Sequence, residues 1–131
     1  MPQQPVEIIL LRQWASYVAT PVWIMGPDGS LLFYNQAAEP VLGQPFDEAG
    51  EMPGERLASM FQTAAPDGSP LSAEDLPINI ALTERRPAHR PLKMKGLDGE
   101  WRMLEVTAFP IEGVGKRHLG AVAIFWESED S

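Results

Sequence analysis

The sequence predicts an α+β domain on a five-stranded, mostly antiparallel sheet, with helices on one face and an extra N-terminal helix. Three observations carry this. Apolar residues recur at helical spacing over Pro5–Val18 and again up to about Arg85. After Pro87 the period changes from 3.6 to 2. Gly26-Pro27-Asp28-Gly29 and Gly96-Leu97-Asp98-Gly99 are turn signals that join neighbouring runs as hairpins.

In chain order, Pro5 suits a first helical turn and Glu7 the positive end of the dipole. Ile8, Leu11, Ala15 and Val18 form one stripe; Leu10, Trp14 and Tyr17 form another on a neighbouring face. So wide an apolar arc needs two partners, its own domain and a second copy. Thr20-Pro21 ends the helix. Val22–Met25 and Leu31–Tyr34 are strands. Asn35 caps a short helix that Gly43 ends, and Pro40 breaks its interior. Residues 44 to 56 read as a loop, and Leu57, Met60 and Phe61 as one or two helical turns.

Ser72 with Asp75 is close to a capping box, although Asp75 as the cap suits Pro77 better. The helix that follows runs to about Arg85. Arg90–Lys95 is a strand. Trp101–Phe109 is another, ended by Pro110. Leu119–Trp126 is apolar on both faces and is expected in the centre of the sheet. The chain divides into an N-terminal helix over 1–19, one domain over 20–127 and an acidic tail over 128–131.

Bulk properties exclude several function classes. The 131 residues fit one domain, and 44% hydrophobic with 21% charged residues is ordinary globular composition. Ten Lys+Arg against 18 Asp+Glu give a net charge of −8, which disfavours nucleic acid and anionic membrane surfaces as partners. No cysteine is present, which removes disulfides, thiolate metal sites and thiol nucleophiles. No signal peptide and no bilayer-long apolar run is found, so a cytoplasmic location is expected.

Four segments in order resemble the PAS family over about residues 18–127. They are Pro21–Met25 with Pro27-Asp28-Gly29; Phe33–Glu39 with Leu42-Gly43; Asp75-Leu76-Pro77 with Ala81-Leu82; and Asp98-Gly99, then Trp101–Pro110, then Gly120–Ala123. The resemblance implies a sheet wrapped by helices around a pocket, and a module that senses a small molecule, light or redox state, or that dimerises. It also implies an N-terminal helix packed on the sheet and on a partner copy. Two departures stand out. Arg85 occupies the place of a usual glycine, and the exit Glu127-Ser128-Glu129 lacks the usual signature before an output domain. The chain therefore reads as a stand-alone module acting in trans, or as a fragment, with Met1 favouring an intact start.

Chemistry-bearing residues are few. A flavin–cysteine adduct needs a thiol that is absent. PAS haem sensors typically use a histidine on the long helix, and residues 72 to 86 hold none. His89 and His118 lack the further ligands of a metal site. No G-x-S-x-G and no complete P-loop occurs. A cone-shaped dehydratase or isomerase would want a buried His–acid pair, and both histidines lie near turns. No cofactor, no metal and no enzymatic activity are expected. Phe33, Leu42, Phe61, Leu76, Ile80, Leu92, Met94, Leu104, Val106 and Ile124 line a ligand pocket or simply fill the core. Arg85, Arg86, His89, Arg90, Lys93 and Lys95 form the basic cluster, either a solvated surface or an anion or acidic-partner site centred on Arg86 and Arg90. Ile8, Leu11, Trp14 and Val18 are the candidate dimer contacts.

Overall fold

The computed structural model describes residues 5–128; Met1–Gln4 and the rest of the acidic tail lie outside the described residues. Helix α1 (Val6–Ala15) starts where Pro5 presets the backbone. Strands β1 (Val22–Met25) and β2 (Leu31–Tyr34) form the expected hairpin. A 3-10 turn (Gln36–Ala38) and α2 (Glu39–Leu42) follow, and Gly43 closes α2 in the left-handed region at φ 91°. A side chain at Gly43 would collide with the backbone nitrogen of Asp98, so glycine is required twice over.

The stretch read as a loop contains α3 (Phe46–Ala49) and the start of α4 (Gly54–Met60). Pro45 and Pro53 stand just before them with φ near −65°, and proline in that position nucleates a turn that apolar spacing does not announce. A second 3-10 turn (Ala73–Asp75) is capped by Ser72, whose hydroxyl accepts from the amide of Glu74. Helix α5 (Pro77–Glu84) is preceded by Leu76 as its N-cap, so Asp75 caps nothing.

Among the described residues the sheet has six strands, not five, in the order β2-β1-β6-β5-β4-β3, every pair antiparallel. The extra strand β3 (Gln62–Ala64) pairs with Lys93–Lys95. Three residues are too short to show a period, and only the partner strand makes them a strand. Strand β4 (Ala88–Lys95) runs through Pro91, and β5 (Trp101–Glu112) runs through Pro110. Each proline lies where only one side of its strand is paired. β3 stops opposite Lys93, and β4 ends opposite Ala108, so each proline has an open side on which a missing N–H costs no ladder bond. Strand β6 (His118–Glu127) lies between β1 and β5, as its two apolar faces require.

Each face carries its own core. On one, Val22, Ile24, Leu119 and Val122 pack against Ile8 and Ala15 of α1. On the other, Met25, Leu104, Val106, Ala121, Ala123 and Phe125 pack against Leu42, Leu57, Ala81 and Leu82 from α2, α4 and α5. Asn35, 1% exposed, ties the two halves together. Its Oδ1 accepts from the amides of Val22 (3.0 Å) and Ala38 (3.1 Å). Its Nδ2 donates to the carbonyls of Ala15 (2.9 Å), Thr20 (3.0 Å) and Val18 (3.3 Å).

Arg85 adopts the left-handed conformation (φ 57°, ψ 42°) after α5. The helix therefore ends in the turn glycine would favour, built with a residue that strains to make it.

Candidate functional site

Between the inner sheet face and the helices lies a cavity of about 300 Å³. Alternation along the strands supplies its floor. Trp23 and Met25 come from β1, Leu92 and Met94 from β4, Leu104 and Val106 from β5, and Ala123 and Phe125 from β6. Leu42, Leu57 and Phe61, with Leu76, Pro77 and Ile78, also line it. Polar side chains on the wall are the hydroxyl of Thr63, the amide of Asn79 and the indole of Trp23; among the described residues, no acidic, basic or histidine residue lines it. Asn79 Nδ2 donates to the Ala73 carbonyl (2.9 Å). The Trp23 ring is stacked on Tyr34 (6.1 Å, 13°) and meets Phe61 edge-on (5.4 Å, 81°). Its Nε1 is buried without a hydrogen-bond partner.

No family model matches this sequence, and no curated protein matches it. Solved structures do. The PAS domain of a protein from Colwellia psychrerythraea superposes with a TM-score of 0.66 at 18% identity, over 95% of this chain and 99% of that one. The PAS domain of nitrogen regulation protein NR(II) from Vibrio parahaemolyticus gives 0.64 at 20%, over 91% and 98%. The LOV protein of Rhodobacter sphaeroides gives 0.71 at 11%, over 97% and 70%. The chain folds as a PAS domain.

Within the PAS fold, seven of the ten pocket candidates line the cavity: Leu42, Phe61, Leu76, Leu92, Met94, Leu104 and Val106. Phe33 and Ile124 do not. They point to the opposite face, where α1 packs, and Arg12 lies over the Phe33 ring at 4.8 Å. Ile80 is half-buried on α5 but off the wall, and Ile78 and Asn79 line it instead. Sequence reasoning missed Trp23, Met25, Leu57, Ala123 and Phe125. Pairing supplies the missing signal: Trp23 lies opposite Ala123, so both share one face.

The basic residues divide between the two faces of β4 and the end of α5, and several have local partners. Arg86 pairs with Glu84 (2.9 Å). Arg90 donates from Nη1 to the Asp75 carbonyl (3.4 Å). His89 pairs with Glu105 (2.9 Å). Alternation along β4 places Arg90 with Leu92 and Met94, and His89 with Lys93 and Lys95, on opposite faces.

Of the candidate dimer contacts, Ile8, Leu11 and Val18 dock on the protein's own sheet. Trp14 is 48% exposed and belongs to a stripe with Val6, Ile9, Leu10 and Tyr17. Among the described residues, no helix is long and apolar enough to cross a membrane.

Tyr34 donates its phenol to the Gln44 carbonyl (2.7 Å) beneath Trp23. Burial, then the Glu39 and Glu48 carboxylates, push its pKa up to about 12. It stays a neutral, fixed support for the indole.

Proposed function

We propose that this PAS domain is a sensor module that takes a small molecule into its cavity and acts on another protein in trans. The observation that carries this reading is the cavity itself: apolar on nearly every side, with a few convergent polar groups. Among the described residues its wall carries no acid, base or histidine, so the Thr63 hydroxyl has no base to activate it, which supports binding rather than chemistry. A cofactor-free site is part of the proposal. The chain has no thiol for a flavin adduct, and His89 and His118 are both absent from the wall.

Native mass spectrometry of the freshly purified chain, beside a denaturing spectrum, tests the sensor reading. A mass excess that vanishes on denaturation supports it. A bare chain that also takes up no small apolar molecule on titration refutes it.

One observation favours a second reading, a homodimerising module. The stripe Val6, Ile9, Leu10 and Trp14 is exposed along one side of α1, and Tyr17 is exposed just beyond its end. Leu10→Glu and Trp14→Glu should convert a dimer to monomer in sedimentation, while Leu11→Glu should damage the fold instead.

A further inference from the structure

Helix α1 covers only part of the outer sheet face. Its buried partners there, Val22, Ile24, Leu119 and Val122, belong to β1 and β6. Beyond them, over β4 and the start of β5, the face stays open. Register and alternation place its residues. Trp101 lies opposite Lys95, and Met103 opposite Lys93, while their neighbours Leu92 and Leu104 look inward. Trp101 is 49% exposed, and Trp126, opposite Glu105 on the same face, is 43% exposed. Two half-exposed tryptophans on one face mark a contact surface, because burying them against a partner is favourable.

That face is concave. Ala64 and Gly68, from β3 and the turn after it, line a groove of about 470 Å³ with Lys93, Trp101, Arg102 and Met103. Its charges are unbalanced. The acid Glu105 already pairs with His89 (2.9 Å), and Arg102 with Asp98 (2.8 Å). Asp67 accepts from the hydroxyl and amide of Ser69 (2.6 and 2.9 Å), and those bonds, more than the Lys93 charge, lower its pKa. Among the described residues neither Lys93 nor Lys95 forms an ion pair. A chain of net charge −8 thus keeps two unpaired cations beside exposed tryptophan. At physiological salt its distant acids are screened beyond about 8 Å, so a segment in the groove meets the lysines first.

We infer that this groove docks an acidic segment of a partner protein, with carboxylates on Lys93 and Lys95 and an apolar side chain against Trp101 and Met103. The two lysines stand two residues apart along β4, about 7 Å, which is the spacing of alternate acids in an extended chain. The inference rests on the reading of this domain as a module that acts on another protein. It gives that action a surface on the opposite side of the sheet from the cavity.

The capped peptide Gly-Glu-Leu-Glu-Leu-Gly and its counterpart with Gln for Glu test it. Each is titrated into the full chain and followed by the Trp101 and Trp126 indole resonances, the Met103 methyl and the inward methyls of Leu92 and Leu104. The acidic peptide should shift Trp101 and Met103 and leave the inward methyls still. It should bind about fivefold tighter than the Gln peptide, the gain of two exposed ion pairs. Lys93→Gln with Lys95→Gln should erase that difference, and Trp101→Ala should weaken both peptides. If Trp101→Ala does not fold, the lysine pair decides.

Absence of binding, equal binding of the two peptides, or a difference that survives the lysine changes overturns the inference. Shifts confined to the inward methyls overturn it too, while leaving the cavity a binding site. Binding that appears only with Glu129→Gln and Asp130→Asn gives the groove to the chain's own acidic tail. A native dimer that Trp101→Glu dissociates gives it to a second copy. Either result removes the partner segment, and the native mass spectra decide the cavity reading independently.

Discussion

Asn35→Ala should loosen the N-terminal helix from the domain, and the size of the effect follows from the hydrogen bonds lost. The Val22 amide has no other acceptor among the described bonds, so it becomes a buried orphan. The Ala15 carbonyl keeps only its 3.2 Å bond from Val18. The Ala38 amide is less affected, because it also reaches the Asn35 backbone carbonyl at 3.0 Å. One orphaned buried donor and one weakened buried acceptor, at about 1–3 kcal/mol each, with the part-buried Val18 and Thr20 carbonyls turning to water, give a cost of about 3 kcal/mol. For a chain of 131 residues that corresponds to a fall in Tm of about 10 °C. Thermal melts give the total. Amide exchange locates it, and protection should fall most over Val6–Ala15 and least in β5. Asn35→Asp sharpens the test, since it keeps the acceptor for Val22 but turns an oxygen toward the three carbonyls. The folded state then favours the protonated acid, so its pKa there is raised. The penalty is relieved at low pH and grows as pH rises through that value. A loss below about 1 kcal/mol for Asn35→Ala, or an Asn35→Asp variant whose deficit does not grow with pH, would refute the view of Asn35 as the tie between helix and sheet.

Other outcomes follow from single features. Gly120→Ala should cost about 3 kcal/mol or more and broaden the β1–β6 resonances, because its φ is 139° and an added Cβ would overlap the Met25 carbonyl oxygen. Arg85→Gly should raise stability by about 1 kcal/mol in denaturant titration, by relieving the left-handed strain after α5. The Tyr34 phenol, pushed from about 10 to about 12 on folding, should contribute stability that is complete below pH 10 and lost between pH 10 and 12; Tyr34→Phe should flatten that part of a stability–pH curve. Asp98 is held down at about 2, chiefly by its hydrogen bonds from Arg102, so its contribution should persist above pH 4 and vanish as pH falls to 2; Asp98→Asn should remove that acid limb.

Much of this protein was determined by local chemistry and is legible in its residues. Proline and glycine placed the turns at 26–29 and 96–99, since φ preferences act on a few residues and need no partner. Helical spacing gave α1 and alternation gave β5, because an apolar stripe records a buried face, while an apolar run without alternation marked β6 as a strand covered on both sides. Seven cavity residues were legible for the same reason. What remained hidden depends on partners remote in sequence. β3 exists only through its pairing with β4, and the prolines in β4 and β5 are tolerated only because one side of each strand is open. On β1 and β6 both faces are apolar, so sequence pattern cannot say whether Trp23 or Ile24, Ile124 or Phe125, looks into the cavity; the register against neighbouring strands decides. The same holds for α1, whose two stripes are both apolar: only packing turned Ile8 and Leu11 inward and left Leu10 and Trp14 outside. Sequence set which surfaces had to be buried, and tertiary packing chose which side of each element met which partner, because that choice rests on contacts between residues far apart in the chain.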